Sequence, residues 1–168
     1  PAPLDIRGRR VLVVDDNTTN RRILTLQTEA WGMAPRATGS PFEALGWLSR
    51  GDPFDVAILD RQMPEMDGLS LAGEIRRLRD AGALPLVMVS SLGRGEAEES
   101  REFAAFLVKP IRASQLYNAL VGILSTQASA EPVKPVTPAP QFDAELGKRV
   151  PLRILLAEDN VVNQKLAL

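Results

Sequence analysis

The sequence predicts an α/β fold built on one parallel sheet and wound by helices on both faces. Three observations predict it. Strand and helix signals alternate from Arg9 onward, the pattern that places a helix between successive parallel strands. The strand segments VLVVD, FDVAILD and LPLVMV are near-continuous apolar runs, as a sheet covered on both faces requires. The second strand carries Pro35, which has no N–H for a central ladder, so that strand is expected at an edge.

Taken in order, the first strand runs from Val11 to Asp15. A helix from about Thr18 to Trp31 places Ile23, Leu24, Gln27, Ala30 and Trp31 at helical spacing, and Gly32 ends it. The second strand covers Met33 to Thr38. Ser40-Pro-Phe-Glu43 reads as a capping box with proline at the first helical position, and its helix ends near Gly51. Phe54 to Asp60 is the third strand, Leu69 to Leu78 a helix, and Leu84 to Val89 the fourth strand. Phe106 to Val108 and Ala113 to Leu124 complete the pattern as strand and helix. Five strands with the second at an edge fit the flavodoxin-like order 2-1-3-4-5. Ligands of such sheets sit beyond the carboxyl ends of the strands, at the switch point between the first and third.

Composition narrows the function. The 168 residues are 45% hydrophobic, ample for a core, and carry a net charge of −1. Neither nucleic acid nor an anionic membrane is an expected partner at that balance. No apolar run reaches membrane-spanning length and no signal peptide is visible, so a cytoplasmic location is expected. Cysteine and histidine are both absent. Thiolate chemistry, Cys or His metal sites and a Ser-His-Asp triad are therefore excluded.

What remains is a set of carboxylates at the switch point. Asp15 and Asp16 end the first strand, Asp60 ends the third, and Lys109-Pro110 follows the fifth. Adjacent carboxylates raise each other's pKa, a cost that a hard cation relieves. Mg2+ favours one or two carboxylates with water and phosphate oxygens. An aspartate can attack phosphorus to form an acyl phosphate, and such transfer demands charge neutralisation and alignment. Lys109 adds a compact positive charge. Taken singly, each residue has a plainer reading: a loop-capping aspartate, helix-initiating acids, a solvated lysine. Met63, Pro64, Met66, Asp67 and Gly68 read as loop-shaping residues, and Arg21, Arg22, Arg76, Arg77 and Arg79 as solvated helix faces.

The acid pair, ILDRQMPEMDG over residues 58–68 and FLVKP over residues 106–110 together resemble the receiver domains of two-component signalling proteins, over about Arg9 to Leu124. The resemblance implies that Asp60 is the phosphoacceptor. It also implies Mg2+ on Asp15, Asp16, Asp60 and the backbone carbonyl of Gln62. Ser90 and Lys109 would contact the phosphoryl group, Phe106 would hold the aromatic switch position without a hydroxyl, and the bond before Pro110 would be cis. The donor histidine must lie on a histidine kinase or phosphotransfer domain outside these residues.

One departure and a repeat remain. Ser90 and Lys109 are only 19 positions apart, and Ala97 is the one apolar residue within GRGEAEES. The helix expected between the fourth and fifth strands is therefore reduced. The receiver is read over 1–126 and a Pro/Ala-rich linker over 127–150. Residues 151–168 then read as the first strand and early helix of a second receiver. Arg153 to Leu168 repeats Arg10 to Thr25 at an offset of 143, with Glu158-Asp159 in place of Asp15-Asp16. Tandem receivers joined by such a linker resemble the C-terminal part of hybrid sensor histidine kinases. The piece itself would then be at most a self-phosphorylating acceptor, its parent a histidine kinase. A second function stays open: a pseudo-receiver that binds a nucleotide second messenger, or the kinase core, through a face around Arg94, Phe106 and Arg112. A flavin-binding relative is disfavoured, because the acidic loop would repel the FMN phosphate.

Overall fold

The computed structural model describes residues 6–91 and 102–128. The strands are β1 (Arg10–Val14), β2 (Ala34–Thr38), β3 (Val56–Asp60), β4 (Leu86–Ser90) and β5 (Ala105–Val108), and the helices α1 (Thr18–Ala30), α2 (Pro41–Ser49), α3 (Gly68–Leu78) and α4 (Ala113–Ala128). Among the described residues all four strand pairings are parallel, in the order β2-β1-β3-β4-β5. This is the flavodoxin-like order, with Pro35 on the edge strand as its missing N–H requires. Among the described residues no helix is long and apolar enough to cross a membrane. The expected reduced helix, the second-receiver segment and the linker after residue 128 lie outside the described residues; Gln127 and Ala128, read as the start of the linker, belong to α4.

Alternate residues of the central strands feed two cores, since side chains switch faces at every step. Leu12, Val14, Ala57, Leu59 and Leu86 pack with Ala44, Trp47 and Leu48 of α2 and Leu71, Ala72 and Ile75 of α3. Val11, Val13, Val56, Ile58, Val87 and Val89 pack with Leu24 of α1 and Leu116, Leu120 and Leu124 of α4. Every residue of β3 and β4 is buried. The continuous apolar runs in the sequence have this double burial as their cause.

Several helix details differ from the sequence reading. On α1 the buried residues are Leu24 and Thr28, while Ala30 faces solvent and Ile23 is 47% exposed. The polar Thr28 takes a core slot because its hydroxyl donates to the Leu24 carbonyl at 2.8 Å. The α2 capping box is also rearranged. Ser40 Oγ accepts the Glu43 N–H at 3.4 Å, but the Glu43 carboxylate does not return to the Ser40 N–H. The Thr38 hydroxyl donates to Glu43 Oε2 at 2.5 Å and itself accepts the Ser40 N–H at 3.0 Å. Gly32 ends α1 at a φ of 78°, a conformation that glycine adopts without penalty.

Candidate functional site

Strand register brings the site together. Val14 of β1 lies opposite Leu59 of β3, so Asp15, the next residue, emerges beside Asp60. Asp60 pairs with Val89 of β4, and Ser90 pairs with Val108 of β5. The Lys109 N–H donates to the Ser90 carbonyl at 2.8 Å, which carries the chain to the same edge. The Lys109–Pro110 bond is cis.

Three carboxylates and one ammonium meet there. Lys109 Nζ bridges Asp15 Oδ2 at 3.2 Å and Asp60 Oδ1 at 3.0 Å. Asp15 and Asp60 are 1% and 5% exposed, whereas Asp16 faces solvent. One carboxylate oxygen from each of Asp15, Asp16 and Asp60 lies within 4.8 Å of the others, a spacing that suits a metal ion. The second oxygen of Asp15 is also engaged. It accepts the Asn17 N–H at 2.8 Å and the Asn20 amide at 3.4 Å. Asn17 caps α1 as well, accepting from the Thr19 and Asn20 N–H groups. Asn17 and Asn20 were not singled out as site residues in the sequence, although both recur as Asn160 and Asn163 in the repeat.

The electrostatics are those of a crowded acidic cleft. Burial pushes the Asp60 pKa up. The Lys109 hydrogen bond opposes this, and the charge on Asp15 adds to it, leaving Asp60 above its ordinary 3.8. Burial alone would lower Lys109, but the Asp60 hydrogen bond and the charges of both aspartates outweigh it and hold the lysine above 10.5. An isolated ion pair would lower the acid and raise the base. Here both rise, because at Asp60 burial, with the Asp15 charge added to it, outweighs the lysine.

The loop after Asp60 is shaped by close packing. A Cβ on Gly68 would lie 2.3 Å from the Asp60 carbonyl oxygen, so only glycine allows α3 to start there. Asp67 caps α3 by accepting the Ser70 N–H at 2.7 Å. Arg61, Gln62, Met63, Pro64, Asp67 and Leu69 line an open cleft beside Asp60. Ser90 is buried at the end of β4. Phe106 is partly buried, its ring edge-on to Phe103 at 5.1 Å between centroids. Arg112 is exposed, and Arg94 lies outside the described residues.

Besides Arg79, which donates to the carbonyls of Leu48 and Leu78 at 3.1 Å, two arginines that read as solvated in the sequence are tied to the backbone. Arg21 Nη1 donates to the carbonyl oxygens of Asp15 and Asp16. Arg76 Nη1 donates to the Leu84 carbonyl at 2.8 Å and Nη2 to the Glu102 carbonyl at 2.6 Å. Backbone carbonyls carry no residue-specific signal, so the sequence offered no pattern by which to find either contact.

Comparison with known proteins agrees with this geometry. Residues 11–121 match the family model described as the response regulator receiver domain. The sensory/regulatory protein RpfC of Xanthomonas campestris pv. campestris is 31% identical over 151 residues, which is 86% of this chain and 21% of that protein. Hybrid signal transduction histidine kinase L of Dictyostelium discoideum is 33% identical over 115 residues, or 64% of this chain and 7% of that protein. The chain thus spans a small part of the relatives it matches. Among solved structures, the response regulator protein TrrA from Thermotoga maritima, in complex with Mg2+–BeF, superposes with a TM-score of 0.62 at 26% identity. It covers 68% of this chain and 98% of its own. With an acid pair, an aspartate and a lysine converging at the carboxyl edge of a 2-1-3-4-5 sheet, the chain belongs to the response regulator receiver family of two-component signalling.

Proposed function

We propose that Asp60 accepts a phosphoryl group from a phosphohistidine, as one step of a phosphorelay, with Mg2+ at the acidic cluster. The observation that carries this reading is the meeting of Asp15, Asp16 and Asp60 within 4.8 Å under the Lys109 bridge. Asp15, Asp16, Asp60 and the Gln62 carbonyl would hold the cation. When bound, Mg2+ supplies positive charge to the carboxylates and to the oxygens of the transferring group. An Asp60 carboxylate oxygen attacks phosphorus in line, the new O–P bond forms as the P–N bond to the donor histidine breaks, and the electron pair returns to the imidazole. Lys109 would stabilise charge on the phosphoryl oxygens. The Ser90 hydroxyl would hydrogen-bond the phosphoryl group, with Phe106 as the packing element that responds.

The parent is proposed to be a hybrid histidine kinase with these residues in the cytoplasm, in which 1–126 form the receiver, 127–150 a linker and 151–168 the start of a second receiver. A histidine kinase or phosphotransfer domain would be the donor. The relation to RpfC and to a hybrid kinase supports that setting, and the Mg2+–BeF complex of TrrA supports the choice of cation. The nucleotide-binding alternative gains no specific observation among the described residues.

Phosphoramidate carries the same P–N bond as phosphohistidine and serves as the probe. Its consumption, followed by phosphorus NMR, is expected to be accelerated by the chain in Mg2+ and to fall to the background rate in EDTA. Equal rates in both would contradict the metal-dependent acceptor.

A further inference from the structure

The acid pair is held from behind by Arg21. This residue lies in the first turn of α1, where the helix dipole disfavours a cation. Its guanidinium folds back over the helix start. Nη1 donates to the Asp15 carbonyl at 2.7 Å and the Asp16 carbonyl at 2.8 Å, and Nη2 donates to Thr18 Oγ1 at 3.0 Å. A planar fork of donors suits this convergence, which a single ammonium could not reproduce.

A second loop is shaped around the same side chain. A Cβ on Gly39, the residue after β2, would lie 2.8 Å from Arg21 Nη1 and 3.3 Å from Cζ. Gly39 is not among the glycines with positive φ. Its backbone therefore makes no demand for glycine; the space taken by the guanidinium does.

Resting on the reading of Asp15, Asp16 and Asp60 as a Mg2+ site, we infer that Arg21 is a positioning residue for that site. It pins two consecutive carbonyls, and so the peptide plane between Asp15 and Asp16, before a cation arrives. Asp15 is also fixed through its side chain by Asn17, Asn20 and Lys109. Asp16 is exposed and is repelled by the two carboxylates beside it. Its placement depends on the backbone, and Arg21 holds that backbone.

The test is a Mg2+ titration of residues 1–168, read by amide NMR, for the wild type, Arg21→Ala, Arg21→Lys and Gly39→Ala, with each melting temperature measured in EDTA. Arg21→Ala is expected to weaken Mg2+ about tenfold, the low end of the loss when a partner behind a metal ligand is removed. Arg21→Lys should recover part of that affinity. Gly39→Ala should also weaken Mg2+, with little change in the EDTA melting temperature, because only the flexible end of Arg21 must give way. If Arg21→Ala and Gly39→Ala bind Mg2+ like the wild type, whatever their melting temperatures, Arg21 serves the fold alone and the inference is overturned. If the wild type shows no Mg2+-dependent shifts near Asp15, Asp16 and Asp60, the site reading fails and this inference with it.

Discussion

Asp60 sits among groups that oppose its ionisation, and that has a measurable consequence. Its folded-state pKa lies above 3.8 because burial and the Asp15 charge outweigh Lys109. Between 3.8 and the raised value, the folded protein keeps a proton that the unfolded chain has released. Stability therefore falls as pH rises through that window and stays reduced at neutral pH. Asp60→Asn removes the ionisation. In EDTA at pH 7 it is expected to melt a few degrees higher than the wild type, and the gap should close below pH 3.8. Mg2+ should reverse the order, since ligand at about 100 times its dissociation constant stabilises by about 2.7 kcal/mol and the variant lacks one ligand. Lys109 has the opposite linkage. Its pKa is raised above 10.5, so its contribution is fully present at neutral pH and is lost only as pH climbs through the raised value. Lys109→Met should lower the melting temperature at pH 7 in EDTA, by leaving the buried Asp15 and Asp60 without their shared cation. Thermal scans across pH check both predictions.

At the scale of elements, the joins between strands and helices carry the site. Gly68→Ala is expected to cost about 1–3 kcal/mol, as overpacking does, because the new methyl meets the Asp60 carbonyl and not a pliable side chain. Urea unfolding would measure it, and the loop displacement should also reduce phosphoryl acceptance. Arg76 ties α3 to the carbonyls of Leu84, just before β4, and Glu102, just before β5. Arg76→Ala leaves both without this donor. A loss of about 1.5–3 kcal/mol is expected, the contribution of hydrogen bonds from a charged donor, with faster hydrogen exchange at the start of β5. Sequence reasoning located these elements well where a single residue type dictates the outcome. Pro35 set the edge strand and Gly32 the end of α1. It did less well where tertiary context decides. Thr28 reads as polar, yet it is buried because its hydroxyl turns back to its own helix. Glu43 reads as a partner for Ser40 N–H, yet Thr38 intercepts it.

The molecule as a whole shows why so much of the site was legible. In a parallel sheet all strands end at one edge, so residues closing separate strands become neighbours once the order is known. Asp15, Asp60 and Lys109 are far apart in sequence and within hydrogen-bonding reach in space for that reason. What stayed hidden is the support behind them. Asn20, Arg21 and Arg76 act on backbone or on one carboxylate oxygen through rotamers that no periodicity records.

The central claim, that this receiver takes a phosphoryl group on Asp60 with Mg2+, is tested most directly by intact-mass spectrometry after exposure to phosphoramidate. One phosphoryl adduct is expected for the wild type in Mg2+, and none for the wild type in EDTA or for Asp60→Asn in Mg2+. An adduct of equal yield on Asp60→Asn would contradict the account, because the acceptor would then lie elsewhere.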